Sequence, residues 1–154
     1  MGLFGFGKSK VDKRKEDWIL ESTNWYDKGN ALAKLGKDEE TIVCYTQAIR
    51  LNPEDFSAWS NKGFVLNKLE RHEEAIACYN QVIRFNSKDF NGWFNRCNSL
   101  ANLKKFEEAI ICFDKVIEKN PEYPSALRYK GMALKKLGRD EEAEHYFTKD
   151  KKLA

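Results

Sequence analysis

The chain has 154 residues, 42% of them apolar and 33% charged, a globular composition with enough length for a real core. Its 27 basic and 24 acidic residues leave a formal net charge of +3, too balanced to require nucleic acid or an acidic membrane as partner. No run of about 18 apolar residues occurs, so no membrane-spanning helix is expected.

Residues 1–21 read as an N-terminal extension, a mobile tip followed by a helix that leads into what comes next. In the tip, Met1 to Gly7 is apolar but short, and its positive residues follow it, unlike a secretory signal. Phe6 stands where N-myristoylation needs Ser or Thr. Leu3, Phe4 and Phe6 ahead of Lys8, Lys10 and Lys13 offer a weak membrane or partner contact; an ordinary disordered start is preferred. From Asp12, read as an N-cap, good helix formers run on without Pro or Gly until Gly29. Trp18, Ile19 and Leu20 are expected to cover the end of a stack of helices.

From Ser22 onward the chain repeats itself. Windows 22–55, 56–89, 90–123 and 124–154 align without insertion at a period of 34 residues. Trp25, Trp59, Trp93 and Leu127 share the fourth place; Gly29, Gly63, Cys97 and Gly131 the eighth; Leu32, Leu66, Leu100 and Leu134 the eleventh. Later come Thr41, Ala75, Ala109 and Ala143, then Tyr45, Tyr79, Phe113 and Phe147. The apolar spacings of three and four in each window predict two helices. Gly36 and Gly138 fit left-handed caps after the first helix, whereas Glu70 and Lys104 hold the same place less favourably. Asn52-Pro53, Asn86-Ser87 and Asn120-Pro121 end the second helices. The small residues let paired helices approach, and the large aromatics are expected to fill the spaces between pairs.

Cys44, Cys78 and Cys112 recur at the same place. Stacked helices put such points about 9–10 Å apart, beyond the roughly 7 Å reach of a disulfide. They read as a column of reduced thiols, and with no signal sequence they imply the cytoplasm. In the last window, Glu144 and Asp150-Lys151 replace apolar residues, which reads as a polar cap closing the array.

The 34-residue period, the Trp-x3-Gly-x2-Leu of the first helix, the Ala-x3-Tyr/Phe of the second and the closing Asn-Pro resemble the tetratricopeptide repeat. The resemblance implies an all-α fold, an α-solenoid of antiparallel helix pairs in a right-handed superhelix, with four repeats over 22–154. It also implies that the first helices line a concave groove.

No catalytic constellation is visible. His72 and His145 lack nucleophile or ligand partners, the glycines form no phosphate loop, and the acid pairs Glu39-Glu40, Glu73-Glu74, Glu107-Glu108 and Glu141-Glu142 suit helix N-termini. No enzyme, cofactor or metal site is expected. The groove residues carried over from the family include Tyr26, Asn30, Asn61, Phe64, Asn91, Phe94, Asn95, Asn98, Arg128 and Tyr129. Family members that clamp a chaperone-tail carboxylate use two Lys, two Asn and an Arg. Asn30 and Asn61 match, but Tyr26, Asn91 and Asn95 stand at the cation places, so no standard clamp is expected. An amide offers donor and acceptor together, which suits one peptide unit of an extended segment. Asn61 and Asn95 hold the same inner place in adjacent repeats, with aromatics for side-chain contacts.

The expected function is a non-catalytic adaptor that binds an extended segment of another protein in its groove. The alternative is an assembly module associating through its helical edges, homo-oligomers included. A nucleic-acid-binding solenoid ranks third. Its only support is the basic column Lys28, Lys62, Arg96 and Lys130, whose stems are expected to cover apolar surface while their charges reach water.

Overall fold

The computed structural model describes residues 10–123 and 125–153. The expectations for the apolar tip fall mostly on residues 1–9, outside that range, as does Pro124 at the head of the fourth window. The described residues form α1 (Lys10–Lys34), α2 (Asp38–Leu51), α3 (Phe56–Lys68), α4 (His72–Phe85), α5 (Phe90–Asn102), α6 (Phe106–Lys119), α7 (Ala126–Lys136) and α8 (Asp140–Leu153). Consecutive helices pair antiparallel, and the pairs stack into the right-handed α-solenoid that the family resemblance implies.

Each pair turns the same way. Arg71 N–H donates to Leu66 C=O at 2.9 Å and Glu70 N–H to Asn67 C=O at 3.0 Å, a Schellman motif repeated at Lys37, Lys105 and Arg139. The residue at its left-handed place is Gly36 (φ 71°), Glu70 (φ 60°), Lys104 (φ 60°) or Gly138 (φ 74°). The two non-glycine turns keep the geometry despite its steric cost, as the sequence predicts. Asn52, Asn86 and Asn120 cap the second helices. Asp55 accepts from the Ser57 and Ala58 amides to start α3, and Asp89 accepts from Asn91 to start α5. Tyr123 holds the corresponding place before α7, which starts later, after Ser125 at φ 69°.

Four expectations need correction. Lys10 and Val11 are already helical, so Asp12 lies inside the helix and is not its N-cap. Trp18, Ile19 and Leu20 do not cover the stack: they are 55%, 55% and 63% exposed. They lie on the part of α1 that outreaches the 13-residue α3 and α5, and so project past the pair partner α2. The glycines make room for aromatics within a pair, not for bare helix contact. A Cβ on Gly29 would lie 2.7 Å from the Tyr45 ring, and one on Gly131 would lie 2.6 Å from Phe147. Tyr45, Tyr79 and Phe113 are thus fully buried against the small eighth place and form the centre of the core with Leu66, Val82, Val116, Leu127 and Leu134.

The fourth correction concerns the thiols. Cys112 is bonded to Cys97 of its own repeat, with Cα atoms 5.4 Å apart, while Cys44 and Cys78 stay free and buried. The comparison of equivalent places across repeats overlooked that the eighth and twenty-third places face each other inside one pair. With one disulfide in the third repeat, the cysteines do not point to a cytoplasmic location.

Candidate functional site

The first helices of successive pairs meet through side-chain hydrogen bonds, which brings most of the expected groove residues into one layer. Asn61 Nδ2 on α3 donates to the Tyr26 hydroxyl at 3.0 Å and to Asn30 Oδ1 at 3.3 Å, both on α1. The Tyr45 hydroxyl donates to the same Asn30 oxygen at 2.8 Å. The Tyr26 and Tyr45 rings lie 5.8 Å apart, and burial raises the Tyr45 phenol above its ordinary value. Both amide hydrogens of Asn61 are therefore spent inside the chain. What remains open is the Asn61 carbonyl oxygen as acceptor and the Asn30 NH2 as donor. Phe64, 66% exposed, stands beside them at a cleft that also takes in Ala33, Asp38 and Lys68.

Further along, Asn67 Nδ2 donates to Ser99 Oγ at 2.8 Å, joining α3 to α5. His72 Nδ1 lies 3.0 Å from Asn67 Oδ1, which makes it a partner of the amide network. The Tyr79 hydroxyl is buried without a partner of good hydrogen-bond geometry, although Asn67 lies beside it. Asn91 accepts from the Tyr123 hydroxyl at 2.6 Å.

Phe94 is engaged more deeply than a groove-lining side chain. Its ring lies 5.1 Å from Tyr129, edge-on, 5.4 Å from Tyr123 and 5.9 Å from Phe113. It belongs to an aromatic cluster that holds the third repeat to the fourth. Asn95 and Asn98 differ from the other asparagines. Both are half-buried, and among the described residues neither side-chain amide has a hydrogen-bond partner. Asn98 opens onto a cleft with Asn102, Phe106, Tyr129, Met132 and Lys136. Arg128 is exposed.

The basic column does not behave as one face. Lys28 and Lys62 sit over the rings of Trp25 and Trp59, at 5.0 and 5.9 Å from the ring centres. Arg96 Nη1 approaches Cys112 Sγ at 3.5 Å. Lys130, expected to reach water, is buried at 6% exposure, with Nζ 2.5 Å from Asp114 Oδ1 and 2.6 Å from the Tyr146 hydroxyl. Burial alone would lower the Lys130 ammonium, but the Asp114 and Tyr146 hydrogen bonds outweigh it and hold its pKa above 10.5. Sequence reasoning missed this pair, and also Ser99 and Tyr123. Only Tyr123 left a signal, as the departure from Asp55 and Asp89 at the capping place. Among the described residues no three His, Cys, Asp or Glu side chains gather as a metal site, and no helix is long and apolar enough to cross a membrane.

A helical hairpin repeated every 34 residues, with small residues under buried aromatics and first helices forming one layer, defines a helical-repeat interaction module. Family models agree: one described as TPR repeat matches residues 29–70, one as Tetratricopeptide repeat matches 56–89 and 90–123, and another of that description matches 112–145. The chain belongs to the tetratricopeptide-repeat family and is a protein–protein interaction module.

No curated protein matches the sequence. Among solved structures, "MamA 41-end from Desulfovibrio magneticus RS-1" superposes with a TM-score of 0.81 at 21% identity, covering 93% of this chain and 78% of that one. A MamA RS-1 ArsTM double mutant gives a TM-score of 0.80 at 23% identity, covering 94% and 80%. The first TPR of Spaghetti (RPAP3), bound to the HSP90 peptide SRMEEVD, gives 0.71 at 23% identity, covering 78% and 95%. At these identities the likeness concerns the fold.

Proposed function

We propose that the chain is a non-catalytic adaptor whose groove, formed by four repeats over 22–154 behind an extension of residues 1–21, grips an extended segment of a partner protein. The observation that carries this reading is the pair of unpartnered, half-buried amides Asn95 and Asn98. Lying i and i+3 on α5, they share one face of the helix. An amide that is partly desolvated and unpaired gains most from a peptide C=O and N–H. The Asn61 oxygen and the Asn30 NH2 extend the same donor–acceptor row, and Phe64, Tyr129 and Met132 supply apolar contact beside it.

The similar fold bound to SRMEEVD supports a peptide as the occupant. The occupant here differs from a tail held by its terminal carboxylate. Tyr26, Asn91 and Asn95 would meet that carboxylate without a cation, and Tyr26 and Asn91 already hold Asn61 and Tyr123. A neutral, internal segment fits better. Nucleic acid is disfavoured because Lys130 is buried in an ion pair and Arg96 lies against a disulfide, so half of the basic column is not free for phosphates.

Selection from a random peptide library, followed by amide chemical-shift mapping of a selected peptide, tests the reading. Shifts centred on α3, α5 and α7 are expected; shifts confined to α2, α4 and α6 would overturn it. The second reading, association of two copies, draws on the exposed Val11, Trp18, Ile19 and Leu20 of α1. It predicts a dimer by sedimentation that Trp18→Ser with Ile19→Ser converts to monomer.

A further inference from the structure

The basic column and the cysteine column, separate patterns in the sequence, meet across the second and third helix pairs. Burial pushes the Cys78 thiol up to about 11, with Lys62 near enough to offset part of that rise. Arg96 Nη1 lies 3.5 Å from Cys112 Sγ, and the buried Nε of Arg96 has no partner. Gly63 shows how close the two faces come: a Cβ there would lie 3.3 Å from the Cys78 Cβ. The third repeat alone places a second cysteine, Cys97, at that eighth place. Its partner Cys112, itself only 3% exposed, borders a cleft lined by Arg96, Leu100, Glu108, Ile111 and Lys115, whereas Cys97 is fully buried and does not reach that cleft.

We propose that Cys97 and Cys112 form a reversible thiol–disulfide modification site, with dithiols as its reducing substrates, that sets the rigidity of the third repeat. Of the two buried sulfurs, that of Cys112 lies on the cleft side, so a local opening of α6 exposes it first. A dithiol's thiolate, drawn by Arg96 and Lys115 against the single opposing charge of Glu108, attacks Cys112 Sγ. A mixed disulfide forms there, the Cys97–Cys112 bond breaks, and Cys97 leaves as a thiolate that takes up a proton. The dithiol's second sulfur then attacks its own partner sulfur in the mixed disulfide. This releases Cys112 as a thiolate beside the Arg96 guanidinium. Two electrons pass from the dithiol, which becomes a cyclic disulfide, to the protein, which gains two thiols. An oxidised disulfide such as glutathione disulfide reverses the balance. Because the bond ties α5 to α6, its reduction loosens the helix that carries Asn95 and Asn98.

The test uses the full chain equilibrated with dithiothreitol or with glutathione disulfide, then unfolded in iodoacetamide and mapped by mass spectrometry, with thermal unfolding of each state. After oxidation, a linked Cys97–Cys112 peptide with alkylated Cys44 and Cys78 is expected; after reduction, all four cysteines are alkylated. Reduction lowers Tm by about 5 °C or more, as expected for opening a short loop in a domain of this size. Cys97→Ala abolishes that redox dependence of Tm, and Arg96→Gln slows reduction by dithiothreitol roughly 3-fold or more at neutral pH. Four alkylated cysteines in the oxidised chain, a different pairing, or a Tm indifferent to the redox state would overturn the proposal.

Discussion

Asn61 on α3 donates a 3.0 Å hydrogen bond to the hydroxyl of Tyr26 on α1, and with its second hydrogen reaches Asn30. One amide thereby ties the second repeat to the first and fixes which of its atoms stay open toward the groove. Asn61→Ala removes both bonds and leaves the Tyr26 hydroxyl and the Asn30 oxygen short of a partner. A loss of about 1–2 kcal/mol in urea denaturation is expected. No loss would mean that the network is solvated rather than structural.

Glu70 and Lys104 hold the left-handed place of a Schellman turn at φ 60°. Glu70→Gly and Lys104→Gly each relieve the clash of a Cβ with the following carbonyl, and each is expected to stabilise the protein by about 1 kcal/mol. Thermal unfolding of the single and double variants checks this. A fall in Tm for both would contradict the turn assignment.

Gly63 lies under the Tyr79 ring, where a Cβ would come within 2.9 Å of ring carbons. Alanine would gain helix propensity, but overpacking a fully buried tyrosine outweighs it, for a net loss of about 1–2 kcal/mol. Calorimetric unfolding of Gly63→Ala measures the balance, and a stabilised variant would show that the helix pair yields more easily than the geometry implies.

Lys130 is protonated in the folded chain with a raised pKa, held by Asp114 and Tyr146. A group whose folded pKa lies above its unfolded value stabilises fully below the unfolded value and ceases to do so as pH rises through the folded one. Lys130→Ala is expected to cost about 2 kcal/mol near neutral pH, discounted for the half-exposed Asp114. The gap between wild type and variant should narrow above pH 10.5, the ordinary lysine value. A gap that stays constant through that range would assign the loss to packing of the lysine stem alone.

The fold was legible because its packing rule recurs. Each buried aromatic needs a small residue at the eighth place, each turn needs the left-handed residue, and both return every 34 residues. Four copies of one pattern reveal what a single copy leaves ambiguous. The candidate site was legible only in outline. Asparagine announces a donor and an acceptor but not whether they are already spent, so Asn61 and Asn95 looked equivalent although one is tied and the other is not. Phe94 looked available because its place varies between repeats, whereas Tyr123 at the end of its own window and Tyr129 of the next enclose it. The Cys97–Cys112 bond and the Lys130–Asp114 pair depend on which places face each other inside or between pairs, a relation that the 34-residue alignment does not express.

The central claim is that the open amides of α5 grip a peptide. The most direct test is a calorimetric titration of a library-selected peptide into the wild type and into Asn95→Ala/Asn98→Ala, with helical content checked by circular dichroism. Loss of two amide contacts predicts affinity weakened about 10-fold or more, with the fold intact. Affinity within about 2-fold of the wild type in a folded double variant would contradict the account.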